Sequence, residues 1–408
     1  MEKIDLAKPG AVLFLGTMNA MPMMYALALK EMGQQVLYLV DVPATDKLSR
    51  PEHQYRQISY PYPDWIVEMV LPSQLLVSLL PSLFLLWLKT RLKPQLQGQN
   101  IKAVFLGGQF IALAPLFGAQ TQKLLLSYGA DLEWFCNPQR VDALAEEFKA
   151  KSFLQYLPAW LRHGLINRIV QRNYLGALQC QTLLFFPPGF SQTGDLMVQQ
   201  LQQHGLHYIP RLDVSFTPLQ GFDRSYKPRQ GALQILCPVR FHYQDISAQA
   251  CGENKGNDLI IRALARFVQQ YPQVQIHFFE KGPDVQNGRA LCDELGLSPY
   301  VVWHQQMSLP ELLALYQQAD ICFDQVGNHW MGAVGIYALY FGKPLIVNAA
   351  NLRHLPPLPL FQACNEQQIF DHLLALTDEA LAKLYYPKAL ACAEVNFGPA
   401  HVLQELVR

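Results

Sequence analysis

VVWHQQMSLPELLALYQQADICFDQ, Val301 to Gln325, sets the reading of the whole chain. Val301 to His304 is a short β-rich run, and Ile321 to Asp324 is another. Between them Ser308 and Glu311 form a capping box, with Pro310 in the first turn, ahead of the helical ELLALYQQ. Working outward, Leu233 to Cys237 and Val274 to Phe279 precede it as strands, and Pro344 to Val347 follows. Leu259, Ile260, Ala263, Leu264, Phe267 and Val268 fall on one helical face, with Arg262, Arg266 and Gln269 pointing away. Strand, helix, strand at this spacing predicts a parallel sheet with right-handed crossovers.

The N-terminal half repeats the theme. AVLFLG, Ala11 to Gly16, leads through Thr17, Met18 and Asn19 into a helical stretch ending near Gly33, and QVLYLV is the next strand. Ala103 to Leu106, Lys123 to Ser127 and Thr182 to Phe186 are further strands. LQGFDRSYKPRQG is polar, contains Gly and Pro, and reads as a linker. The expected division is 1–220, a linker at 221–231, 232–385, and a C-terminal helical segment at 386–408 that returns to the first domain. In open parallel sheets ligands sit outside the carboxyl ends of the strands. Two such α/β domains facing a central cleft would place the chemistry on loops of both.

A chain of 408 residues, half of them apolar, can fill two cores. Lys plus Arg equals Asp plus Glu at 32 each, so there is no long-range field for nucleic acid. The eight cysteines show no C-x-x-C pair and no metal-ligand spacing, and they read as core residues of a reducing compartment. The apolar stretch near the N-terminus is too brief for a signal peptide, so a cytoplasmic protein is expected.

LPSQLLVSLLPSLFLLWL, Leu71 to Leu88, is followed at once by Lys89, Arg91 and Lys93. Pro72, Ser73, Gln74, Ser78, Pro81 and Ser82 interrupt it, whereas a spanning helix wants about 20 apolar residues. A buried helix at a domain face is one reading. Contact with the inner membrane surface is the other, shared with Phe153 to Arg172, where Phe153, Leu157, Trp160 and Leu161 lie near Arg162, Arg168 and Arg172.

Arg240 stands just past the first strand of the second half, and Lys255 precedes the next helix. A diphosphate wants two cations at such an edge, and a helix N-terminus adds N–H donors and partial positive charge. Gly332 and Gly335 bracket a second helix start where backbone can approach a ligand closely. The alternative is that these are solvated loop charges and ordinary α/β loop glycines.

Taken in order, Arg240, KGNDLIIRAL, EKGPD, LGL, the opening stretch and GAVGIYALYFGKPLIVN resemble the C-terminal domain of the retaining GT-B glycosyltransferases of family 4. The likeness covers about residues 232 to 350, and that family has the two Rossmann-like, doubly wound domains described above. The N-terminal half is only generally similar, with SYGADLE, Ser127 to Glu133, standing where the family often has HG-x-D. The resemblance implies that Arg240 and Lys255, with Gly256 beside them, hold the diphosphate of a UDP- or GDP-sugar. It also implies that Gly332 and Ala333 offer N–H groups to it, that His304 and Gln305 lie along the base, and that Gly282 lines the pocket. No cofactor and no metal is implied, and there is no D-x-D motif. The acceptor implied is a glycan, a lipid-linked species or a protein.

Two departures stand out. The family's two glutamates, eight positions apart, fall on His329 and Tyr337, of which the second would stand toward the ribose. His329, beside Trp330, would contact the sugar. In the first domain Tyr128 takes the place of a common histidine, whereas Asp131 matches. Tyr128, Asp131 and His329 are therefore the expected catalytic set. These replacements also favour a non-catalytic scaffold of the same fold, and a sugar-nucleotide epimerase is a third reading.

Overall fold

The computed structural model describes residues 3–151, 153–189, 191–211, 221–244, 254–327, 331–350, 352, 358–397, 403–404 and 406–407. It divides into two units, Met1–Thr217 with Pro399–Arg408, and Pro218–Gly398.

The first unit opens with β1 (Ala11–Leu15), α1 (Met23–Glu31), β2 (Val36–Val40) and β3 (Ile66–Glu68). Two helices, α2 (Leu75–Leu79) and α3 (Pro81–Leu96), precede β4 (Ile101–Leu106) and β5 (Gln122–Leu126). Then come α4 (Ala130–Glu133), α5 (Val141–Lys151), α6 (Ala159–Leu178), β6 (Thr182–Phe185), α7 (Gln192–Gln203) and β7 (His207–Pro210). All strands are parallel, in the order β3-β2-β1-β4-β5-β6-β7. AVLFL and VLYLV are unbroken apolar runs because helices cover both faces of the sheet. Leu13 and Leu37 enter one core with Phe110 and Leu125, while Val12 and Phe14 enter the opposite one with Tyr25 and Phe105. Near the end of the chain Ile4 bridges Val407, and Leu403 and Leu406 join the second of these cores.

The second unit contains β8 (Leu233–Cys237), α8 (Asn257–Gln270), β9 (Val274–Phe279), α9 (Val285–Glu294), β10 (Val301–His304) and α10 (Leu309–Gln318). It continues with β11 (Ile321–Phe323), α11 (Ala333–Tyr340), β12 (Leu345–Val347), β13 (Phe361–Gln362), α12 (Glu366–Ala375) and α13 (Glu379–Asn396). These strands are also parallel, ordered β10-β9-β8-β11-β12-β13. The capping box is formed as expected, with Ser308 N and Oγ both donating to Glu311 at 2.7 Å.

Three features differ from expectation. The polar stretch 221–231 is fastened to the second unit and is no free linker. Arg224 donates to Tyr340 O at 2.9 Å and lies 3.9 Å above its ring, and Arg229 donates to the Leu376 and Thr377 carbonyls at 3.2 Å. The apolar stretch Leu71 to Leu88 is broken at Pro81 into α2 and α3, each burying one face. Among the described residues no helix is long and apolar enough to cross a membrane. Finally, of the three arginines expected on a basic face at Phe153 to Arg172, Arg168 is exposed, whereas the other two are drawn into the fold. Arg162 is buried and donates to the Ala145 and Leu157 carbonyls, and Arg172 donates to those of Ser78 and Leu79 at the end of α2.

Candidate functional site

In the second sheet the strand order reverses between β8 and β11, and the loops leaving their carboxyl ends meet there. Lys255 N donates to His242 O at 2.9 Å, and Val326 N donates to Lys255 O at 3.1 Å. The loop before α8 is thereby laced to the loop after β11. The approach is close: a Cβ on Gly256, whose φ is +70°, would stand 2.5 Å from Gly327 N. The Lys255 ammonium donates to Gln325 Oε1 at 2.6 Å. Arg240 is exposed, with Nη2 3.4 Å from His242 Nδ1, so both expected cations are tied through His242 to one cradle.

The loop after β9 closes the other side. Phe241 N donates to Lys281 O at 2.7 Å, and Asp284 N donates to Phe241 O at 3.2 Å. The Asp284 carboxylate, buried, takes the N–H groups of Tyr243 at 2.7 Å and Gln244 at 3.0 Å. Lys281 comes beside Arg240, and its ammonium is held below the ordinary lysine value by lost solvation and then by that like charge. This third cation was missed in the sequence, where only its place in EKGPD, just before Gly282, marks it.

Several expected residues take other parts. Gly332 N donates to the buried Asp324 carboxylate at 2.5 Å, so its N–H is spent inside the protein. Burial raises Asp324, and its hydrogen bonds and the nearby Lys255 charge oppose the rise. Ala333 is the first residue of α11. Tyr337, expected toward the ribose, is only 8% exposed and meets the buried Tyr316 ring edge-on at 6.1 Å, which is a packing role. Asn328, His329 and Trp330 lie outside the described residues.

His304 and Gln305 are bound into the sheet edge. Gln305 donates to Glu280, which also pairs with Arg289. His304 Nε2 is 2.9 Å from His277 Nδ1, and His277 Nε2 is 2.9 Å from Gln234 Oε1. Because the Gln234 amide nitrogen is directed at Ala232 O, His277 donates from Nε2 and accepts at Nδ1, and His304 donates from Nε2. Burial, aided by the neighbouring His304, pushes His277 down to about 4. The unfolded chain, with a histidine value of roughly 6.5, takes up this proton first on acidification. The His277 contribution to stability is therefore complete above about pH 6.5 and is lost as pH falls toward about 4. Urea unfolding from about pH 7 to about pH 4.5 should show a shallower acid loss in His277→Gln than in wild type, and equal slopes would contradict the assignment.

The first unit has its own hollow, of about 230 Å³, at the carboxyl ends of β1, β4 and β5. Phe14 and Phe105, stacked at 4.4 Å, line it together with Gly16, Thr17, Tyr128 and Asp131. Asp131 is buried and accepts from Ser127 Oγ at 2.6 Å, Leu132 N at 3.0 Å, and Tyr128 N and Gly108 N at 3.2 Å. So engaged, it organises two loops of the hollow that it also lines. Tyr128 carries the buried Arg211 guanidinium 4.2 Å above its ring, a partner the sequence did not reveal.

Residues 246–352 match the family model described as glycosyl transferases group 1. That span includes Lys255, Gly256, Gly282, His304 and Gly332, and Arg240 stands just before it. No curated protein matches the sequence. Among solved structures, WaaG, a glycosyltransferase involved in lipopolysaccharide biosynthesis, is 14% identical over 97% of this chain and 99% of its own, with a TM-score of 0.55. Sucrose-phosphate synthase from Thermosynechococcus elongatus is 15% identical over 98% and 97%, with a TM-score of 0.56. The pneumococcal O-GlcNAc transferase GtfA, 14% identical at a TM-score of 0.42, is covered over 46% of its length by 59% of this chain. The first two likenesses establish the GT-B fold: α/β, with two parallel-sheet units.

Proposed function

We propose, from the group 1 match and the GT-B fold, that the chain is a glycosyltransferase that moves a sugar from a UDP- or GDP-sugar to a glycan, lipid-linked or protein acceptor. The observation that carries this reading is the cradle of the second unit, where Lys255 stands just before α8, Arg240 is tied to the same loop through His242, and Lys281 lies beside Arg240. Like charges crowded on laced loops are relieved by a bound polyanion, and fixed cations stabilise a departing diphosphate. In this reading Arg240 and Lys255 hold the two phosphates and Gly256 lets the backbone come close. The carboxyl ends of β9 and β10, with Gly282 and His304, lie toward the base. Attack by the acceptor hydroxyl on the face the diphosphate leaves would retain configuration, as the family resemblance implies, without a metal.

A non-catalytic binding subunit is the second reading, favoured by the burial of Tyr337 where the family has an acidic residue. Incubation with a panel of UDP- and GDP-sugars, with free nucleotide detected, separates the two. Release of UDP or GDP from one donor supports the transferase, whereas binding without release supports the subunit.

A further inference from the structure

The fold leaves one face of α3 unused. Phe84, Leu85, Leu88 and Leu92 are buried in the first unit, while Leu83, Leu86 and Trp87 are 63%, 64% and 41% exposed. At about 100° per residue these three share one face. Leu76 in α2 and Leu80 between the two helices are also exposed, and Gln74, just before α2, lines the hollow that holds Asp131. At the other end of α3, Lys89 and Lys93 join Lys8 and Lys102 around an open hollow of about 860 Å³ at the amino ends of β1, β4 and β5. Its described lining residues include no Asp or Glu. Lys102 gives its ammonium to the Asp5 and Lys8 carbonyls and to Gln34 Oε1, so it adds field, and the three exposed lysines are left to meet a ligand.

Exposed leucines and a tryptophan along one helix, ending in a group of lysines, have the complementarity of a phospholipid surface. The apolar side chains enter the acyl boundary, and lysines on long stems reach headgroup phosphates. We propose that the α2–α3 face of the first unit docks on an anionic phospholipid bilayer. The exposed face lies along the bilayer from the Asp131 hollow to the lysine hollow. This goes beyond the glycosyltransferase reading and stands without it.

Sedimentation of the full chain with vesicles tests it, using phosphatidylcholine alone and phosphatidylcholine with about a third phosphatidylglycerol. Wild type should pellet with the anionic vesicles and remain largely in the supernatant with the neutral ones. Leu86→Glu with Trp87→Glu should lower partitioning about tenfold or more, and Lys89→Glu with Lys93→Glu should do the same and abolish the anionic preference. All four side chains are exposed, so the fold is kept, and Leu384→Glu on the second unit should bind as wild type. Wild type remaining in both supernatants would overturn the proposal, as would either double variant pelleting like wild type. So would loss of self-association in Leu86→Glu with Trp87→Glu at unchanged vesicle binding, which would assign the face to a second copy.

Discussion

Arg240→Ala and Lys255→Ala should each weaken UDP or GDP binding by about tenfold or more, because a charge-assisted contact to a ligand is worth about 1.5 to 3 kcal/mol. The two substitutions should part company in stability. Arg240 is exposed, so its loss should change unfolding free energy by under about 0.5 kcal/mol. Lys255 donates to Gln325 and offsets the burial of Asp324, so its loss should cost roughly 1 kcal/mol more. Calorimetric titration of both nucleotides, with urea unfolding of each variant, reads the two effects separately. Unchanged affinity in both variants would remove the donor from this cradle and leave the scaffold reading in front.

Gly282→Ala should be far more damaging, at about 3 kcal/mol or more. Its φ is +112°, and an added Cβ would stand 2.2 Å from Phe241 O and 2.7 Å from Arg240 Cγ. Phe241 cannot give way readily, since its N–H and C=O are held by Lys281 and Asp284. Backbone strain and a backbone clash therefore add. Gly296 supplies the comparison: its φ is +68°, but nothing lies within 4 Å of the added atom, so Gly296→Ala should lose only about 1 to 2 kcal/mol. Equal losses for the two in urea unfolding would refute the close packing of the loop after β9 on Phe241.

The strands that organise the second unit were legible because LQILC, VQIHFF and VVWH are compact apolar runs set between helices of clear period. β3, β7 and β13 were not. They run three, four and two residues at or next to sheet edges, where half-exposed side chains blur the pattern. Arg240 and Lys255 could be picked out because each directly follows a strand or precedes a helix. Lys281, Asp284 and the His277–His304 pair reach the site only through the adjacency of β8, β9 and β10, which local sequence does not specify. The same holds for Gly332: a helix start was visible, but the crossover that brings its N–H to Asp324 was not.

Hydrogen exchange of the full chain, with and without saturating UDP or GDP, tests the donor cradle most directly. If the cradle binds the diphosphate, one of the two nucleotides slows exchange at 240–243, 255–257 and 281–284, with the hollow of the first unit unchanged. Protection absent from these segments for both nucleotides, or confined to the first unit, would contradict it.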